Sequence, residues 1–294
     1  MIIRELTQTL RQTLWPLYDE REAAAVAHVY VCAKFGMQRY EIALRGDEPV
    51  DDLLMADIQR DMEKLAQGCP VQYVLGETEF YGLPFEVSPA VLIPRQETEE
   101  LVRMVVERFK ERELSVSQSI WDIGTGSGCI AVSLAKGLPG VEVFATDISE
   151  EALAVARRNA HRNGVEVTFA RHDMADVEHI PFGERWFDAI VSNPPYIPAS
   201  DRVAMHRNVT DYESSLALFV PDDDALWCYE AVARLAQRTL APGGRLFVET
   251  YHDFHEGIAA AFTRCGLRDV QSIRDLNGQL RFVTAVNRGD RMPR

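Results

Sequence analysis

The chain predicts an α/β fold, a doubly wound and mostly parallel sheet preceded by a small helical bundle. Three observations carry this. From Ile120 onward, short apolar strand-like runs alternate with helical patterns, the signature of β-α-β units. Residues 1 to about 68 instead show helical periodicity and no strand pattern. Between the two lies Val71 to Pro94, where aromatic and β-branched residues alternate with Gly and Pro, as in a β-hairpin. The expected domains are therefore residues 1–70, a linker 71–94 and an α/β domain 95–290.

In the bundle, Leu6, Leu10, Leu14 and Leu17 fall on one helical stripe, and Leu54, Ile58, Met62 and Leu65 on another that Asp51 or Asp52 can cap. Glu22 to Phe35 is apolar enough to be the central helix. Gly68-Cys69-Pro70 ends the bundle. Beyond the linker a helix runs from about Glu97 to Arg112, and Glu113 to Ser119 is polar. Strands are expected at Ile120–Ile123, Val141–Thr146, Val165–Ala170, Phe187–Ser192, Arg245–Thr250, Leu267–Ile273 and Leu280–Val286. Helices are expected at Cys129–Lys136, Glu150–Asn163, Ala225–Leu240 and Phe254–Cys265, with a frayed tail from Asn287 to Arg294. From Ile197 to Asp224 no long periodicity appears. Compact domains keep such long connections chiefly to bind something, so this one reads as a substrate-shaping segment.

Composition narrows the function. With 294 residues, two domains are the natural expectation. The 31 Lys and Arg against 45 Asp and Glu leave a net charge of −14, which argues against sequence-independent nucleic-acid binding. The bundle carries 8 basic against 12 acidic residues and offers no basic stripe. No apolar run is long enough to span a bilayer, and Met1 to Leu6 lacks a signal-peptide layout, so the expectation is a cytoplasmic protein without membrane contact. The five cysteines are odd in number, scattered and form no Cys-x-x-Cys pair, which argues against a disulfide framework or zinc ribbon. His252 and His255 stand three apart, without the spacing of a zinc-protease helix; no metal is expected.

Two turns carry the chemistry. Ile120-Trp121-Asp122-Ile123-Gly124-Thr125-Gly126-Ser127-Gly128 is a strand running through a glycine turn into a helix, which brings backbone N–H groups close to a ligand. It departs from the dinucleotide fingerprint, which wants Gly at Cys129. Asp147 ends the second strand and can accept both hydroxyls of a ribose. Asp173-Met174, past the third strand, can meet an adenine edge and face. Asp122 reads as a support for the loop or a partner for the ligand's amino-acid end. The second turn, Asn193-Pro194-Pro195-Tyr196, follows the strand Phe187–Ser192. The Asn193 side-chain oxygen and the Pro194 carbonyl can each accept one hydrogen of a planar NH2 group, the prolines hold that carbonyl in place, and Tyr196 can wall the amide. Arg95 and Glu97 read either as substrate or cofactor contacts or as the charge pattern of a helix start.

Asp-Ile-Gly-Thr-Gly-Ser-Gly, the strand-end acid Asp147 and Asn-Pro-Pro-Tyr together resemble a class I S-adenosylmethionine-dependent methyltransferase. The resemblance spans about residues 70 to 286 and is nearest to the release-factor glutamine N5-methyltransferases, the PrmC/HemK family. It rests on Pro70-Val71-Gln72-Tyr73-Val74-Leu75-Gly76, Phe80-Tyr81-Gly82, Val91-Leu92-Ile93-Pro94-Arg95-Gln96-Glu97-Thr98-Glu99 and Ser192-Asn193-Pro194-Pro195-Tyr196-Ile197. The family usually has Pro at Gln96, and Glu-Pro-Arg at Glu213-Ser214-Ser215. The resemblance implies a seven-stranded sheet with a reversed last strand and S-adenosylmethionine as donor. It also implies methylation of the glutamine of the Gly-Gly-Gln tip of peptide-chain release factors; a monomer is expected. Gly124, Thr125, Gly126, Ser127, Gly128, Asp147, Asp173, Met174 and Asn193 would hold the cofactor; Asn193, Pro194, Pro195, Tyr196, Arg95 and Glu97 would meet the substrate. Three rivals are a ribosomal-protein glutamine methyltransferase, a nucleic-acid adenine N6-methyltransferase that flips its base into the pocket, and a cofactor-binding scaffold without catalysis.

Overall fold

A computed structural model of the chain describes residues 1–110 and 118–289. The end of the helix expected to reach Arg112, most of the polar stretch after it and the last five residues of the tail expected to fray lie outside the described residues; Asn287 is instead held by hydrogen bonds with Gly243, Gly244 and Leu240. The chain divides into two compact units, Met1–Glu77 with His206–Tyr212, and Thr78–Met205 with Glu213–Arg294.

The first unit is helical: α1 (Ile3–Leu14), α2 (Glu20–Phe35), α3 (Arg39–Arg45), α4 (Asp52–Ala66) and the short α5 (Val71–Leu75). Leu6, Leu10 and Leu14 of α1 are fully buried against Ala23, Ala27, Tyr30 and Val31 of α2 and Ile58 and Leu65 of α4. Leu17 falls beyond the end of α1, because the helix stops before Pro16. Asp19 caps α2 by accepting from Glu22 N, and Asp51, rather than Asp52, caps α4 by accepting from Leu53 N. The helix α3 was not expected; it is short and has no buried residue, so no apolar stripe marks it. The stretch 71–94 also differs from a simple hairpin, since α5 precedes the strands.

The hairpin pairs β1 (Glu77–Phe80) with β2 (Leu83–Glu86). Its two-residue turn has φ of 52° at Tyr81 and 71° at Gly82, the left-handed pair that a tight hairpin requires. There follow α6 (Gln96–Lys110), β3 (Ser119–Ile123), α7 (Cys129–Gly137), β4 (Glu142–Asp147), α8 (Glu150–Asn163), β5 (Thr168–Arg171) and β6 (Phe187–Ser192). The segment read as an irregular connection is built from short pieces: β7 (Ile197–Pro198), a 3-10 turn Ala199–Ala204, α9 (Arg207–Thr210), α10 (Ser215–Leu218) and β8 (Phe219–Val220). Within the first unit His206 stacks on Tyr18 at 5.2 Å between ring centroids, and Tyr212 donates to Gln67 O at 3.0 Å. The chain closes with α11 (Trp227–Thr239), β9 (Leu240–Glu249), α12 (His255–Arg264), β10 (Arg268–Arg274) and β11 (Leu280–Val286).

The main sheet has seven strands in the order β10-β11-β9-β6-β3-β4-β5. Only β11, last in the chain, runs antiparallel to its neighbours. Helices cover both faces, as a mostly parallel sheet needs. One layer buries Leu101, Val105, Ile130 and Val132 with Phe80 and Phe85 of the hairpin; the other buries Trp121, Phe187, Tyr229, Val232 and Phe262. The strand order reverses between β3 and β6, and in such sheets ligands sit beyond the carboxyl ends of the strands at that reversal. Both chemistry-bearing turns leave the sheet there.

Candidate functional site

Ile123 of β3 is level with Ser192 of β6 and with Thr146 of β4. The Ser192 hydroxyl donates to Ile123 O at 2.7 Å, while Gly124 N and Thr125 N both donate to Thr146 O at 2.9 Å. Three strand ends are thus tied together, and the glycine turn cannot drift from them. Gly124, Gly126 and Gly128 have φ of 74°, 54° and 80°, and α7 starts at Cys129. A side chain at Gly126 would meet open space, whereas a Cβ at Gly128 would sit 3.0 Å from the Ala156 Cβ of α8. The two glycines therefore do different jobs: the first leaves the loop bare, and the second lets α7 and α8 approach.

Asp147 faces the loop. Its Oδ2 accepts from Gly126 N at 2.8 Å and its Oδ1 from Ser149 N at 2.9 Å, and each oxygen keeps a further lone pair for a ligand. Burial raises its carboxyl above the ordinary range, opposed by those N–H groups. Asp122, fully buried beneath the loop, accepts from the Thr125 hydroxyl at 2.6 Å through Oδ2, so it does support the loop. Its Oδ1 has no hydrogen-bond partner, and burial pushes the carboxyl up to about 7. Asp173 is exposed at the end of β5, and the half-buried Met174 points its methyl at the Gly124 backbone.

A cavity of about 410 Å³ opens at these strand ends. Gly124, Thr125, Gly126, Ser127, Asp147, Asp173, Met174, Asn193, Pro195 and Arg95 line it; Gly128, Pro194, Tyr196 and Glu97 do not. Pro194 is buried beneath the turn, and Tyr196 turns its hydroxyl to Glu249 at 3.2 Å. The long connection also supplies lining, from Ser214, Leu216, Ala217 and Phe219.

The structure brings in three residues that the sequence did not single out. Thr98, in the first turn of α6, accepts from Asn193 Nδ2 at 3.1 Å and donates to Glu249 Oε2 at 2.7 Å. Glu249 ends β9, wholly buried, and burial pushes its carboxyl up to about 7 against the pull of Thr98, Arg281 and Tyr196. Glu213 is buried too; it accepts from Arg95 Nη2 at 2.7 Å and from Ile93 N at 3.3 Å, so Arg95 is anchored to the long connection as well as lining the cavity. Glu97, outside the lining, raises the Glu249 carboxyl further by its charge. An acid closing the apolar run Leu246-Phe247-Val248 was a visible signal. Thr98 was hidden in a stretch that reads as a charged helix start.

The hairpin locks onto the same region. Asn159 of α8 accepts from Glu86 N at 2.7 Å and donates to Glu86 O and Ser127 O, both at 2.9 Å. One buried amide thereby joins the linker to the glycine turn.

A seven-stranded sheet with a reversed last strand and two loaded turns at its switch point defines a methyltransferase domain, and residues 95–214 match the family described as Methyltransferase small domain. A solved methyltransferase from Pyrococcus furiosus shares this fold, with a TM-score of 0.50 and 19% identity over 81% of this chain and 99% of that one. Residues 2–76 match the PrmC N-terminal domain. Proteins named release factor glutamine methyltransferase are similar over two thirds to nearly all of the chain. That of Bacteroides thetaiotaomicron is 38% identical over 96% of this chain and 99% of its own. That of Flavobacterium psychrophilum is 36% identical over 96% and 98%, and that of Koribacter versatilis is 44% identical over 67% and 69%. The chain belongs to the release factor glutamine methyltransferase family. Among the described residues no helix is long and apolar enough to cross a membrane.

Proposed function

We propose that this chain methylates the side-chain amide nitrogen of the glutamine in the Gly-Gly-Gln tip of peptide-chain release factors. The observation that carries the reading is Asn193 on the cavity wall at the switch point, in a chain that matches a release factor glutamine methyltransferase over 96% of its length. The cavity suits the expected donor. Its volume falls within the roughly 300–1,000 Å³ of small-molecule sites. The open space at Gly126 is what a ligand seated on the loop would use. Gly124 to Ser127 would approach it with backbone, Asp147 would accept from ribose hydroxyls, and Asp173 with Met174 would meet the adenine. When bound, S-adenosylmethionine supplies an activated sulfonium methyl group.

The residues of the chain do the positioning. An amide nitrogen is a poor nucleophile because its lone pair is shared with the carbonyl, so orientation and electrostatics matter more than strong base. The Asn193 carbonyl and the Pro194 C=O each accept one hydrogen of the substrate NH2, fix the nitrogen and stabilise the positive charge that grows on it. Pro195 walls the planar amide and Arg95 acts at the rim, while Tyr196 and Glu97, outside the lining, act on the site through Glu249. Residues 1–70 serve as the docking domain, 71–94 as the linker and 95–290 as the catalytic domain. The protein acts in the cytoplasm, as a monomer, on the free release factor and without nucleic-acid contact.

The test is incubation with labelled S-adenosylmethionine and, separately, a release factor, a large-subunit ribosomal protein and duplex DNA. Methyl label on the release-factor glutamine is expected. Label on either of the others with none on the release factor overturns the reading.

A further inference from the structure

We propose that Thr98 and Glu249 are positioning residues that fix which way the Asn193 amide points, holding its carbonyl toward the substrate nitrogen. The proposal rests on the function given above and adds two residues to it. A side-chain amide is nearly symmetric in shape, so Asn193 alone does not decide whether it shows an acceptor or a donor. Its neighbours must decide.

The order of hydrogen bonds does so. The Glu249 carboxylate accepts from two hydroxyls, Thr98 at 2.7 Å and Tyr196 at 3.2 Å. A threonine hydroxyl has one proton. With that proton committed to Glu249, Thr98 Oγ1 can only accept from Asn193, at 3.1 Å from Nδ2. The NH2 of Asn193 is thereby held inward and Oδ1 is left for the cavity. Thr98 is 2% exposed and Glu249 1%, so water does not compete for these bonds.

Protonating Glu249 removes the commitment. The acid proton can then go to Thr98, the Thr98 proton to Asn193 Oδ1, and the amide turns its NH2 outward, donors facing donors. Several groups surround the carboxyl. The Arg281 charge from β11 favours its ionised form, although Asp275 shares that guanidinium at 3.4 Å, and Glu97 from α6 opposes it. Cys129 and Tyr229 from α7 and α11 also feel its charge, and burial keeps both protonated. Burial places the Glu249 titration at about 7.

The experiment measures kcat and KM for the release factor across pH in the wild type, Thr98→Val, Thr98→Ser and Glu249→Gln. The wild type should lose kcat as pH falls through about 7. Thr98→Val should lower kcat by about tenfold or more with little change in KM, as for removal of one preorganised contact to the reacting group. Thr98→Ser should restore it, and Glu249→Gln should remove the acid limb. Carboxyl carbon NMR of glutamate-labelled protein gives a readout without turnover: one signal, absent from Glu249→Gln, should titrate near 7. A wild-type kcat in Thr98→Val, an unchanged acid limb in Glu249→Gln, or a signal fixed through neutral pH overturns the inference. A wild type that leaves the release factor unlabelled overturns the functional reading instead.

Discussion

Two glycines two residues apart in the strand-end turn should fail in different ways when replaced by alanine. Gly126 and Gly128 both sit at positive φ, 54° and 80°, where an L residue costs about 1–2 kcal/mol. At Gly126 that is the whole stability cost, because an added Cβ meets nothing within 4 Å. At Gly128 the Cβ would lie 3.0 Å from Ala156 Cβ and 3.1 Å from Ala156 Cα. Backbone cannot step aside as a flexible side chain does, so overpacking adds about 1–3 kcal/mol. Gly128→Ala should therefore lose about 2–5 kcal/mol, near half the stability of an ordinary domain. Gly126→Ala should lose about 1–2 kcal/mol, yet its methyl group enters the cavity mouth, so S-adenosylmethionine binding should weaken more than stability does. Guanidinium unfolding without ligand and calorimetric titration with it separate the two effects. A Gly128→Ala protein as stable as Gly126→Ala would refute the packing argument.

Asn193→Ala should keep cofactor binding, measured by calorimetry, and lose turnover by about a hundredfold or more; wild-type turnover refutes the role given to its carbonyl. Asp147→Ala removes two hydrogen bonds to a carboxylate worth about 1.5–3 kcal/mol each, so the cofactor Kd should rise about a hundredfold or more; an unchanged Kd removes Asp147 from the binding site. Glu249 should also make stability pH-dependent. Its carboxyl is raised from 4.5 to about 7 in the folded protein, so folding favours the protonated form. That contribution is full below about 4.5 and is lost as pH rises through 7, amounting to about 3 kcal/mol at 1.36 kcal/mol per unit. Chemical denaturation across pH should show the loss in wild type and not in Glu249→Gln; the opposite slope refutes it.

The sheet was legible because its strands are apolar runs bounded by Gly, Pro or Asp, a pattern that local sequence records directly. Phe187–Ser192 and Leu280–Val286 even have the expected ends. By contrast β9 begins at Leu240, five residues before the apolar run at Arg245, because Pro242-Gly243-Gly244 is carried in the strand at an irregularity of pairing with β6. Only the partner strand reveals that. The short α3 and α9 bury no residue of their own and so leave no stripe to read. In the site, the glycine turn, Asp147 and Asn193 were legible because each is an unusual residue at a strand end. Thr98, Glu213 and Glu249 were not, since their meaning lies in contacts 95, 118 and 151 residues away along the chain.

Those long-range contacts explain why the Asn-Pro-Pro-Tyr turn needs a particular protein around it. The prolines limit the backbone and aim the Pro194 carbonyl, but they do nothing for the Asn193 side chain. That is held from α6 through Thr98, and Thr98 is held from β9 through Glu249. The start of α6 is itself tied to the hairpin, where Tyr81 N donates to Glu99 at 2.9 Å, and to the long connection, where Arg95 meets Glu213. A burial that raises the Glu249 carboxyl costs folding energy at neutral pH. An alanine or leucine at that place would carry no charge to bury, but it would offer the Thr98 hydroxyl no acceptor and leave the amide free to turn. The buried acid is therefore best understood as stability given up for an oriented carbonyl, and the same acid makes that orientation sensitive to pH.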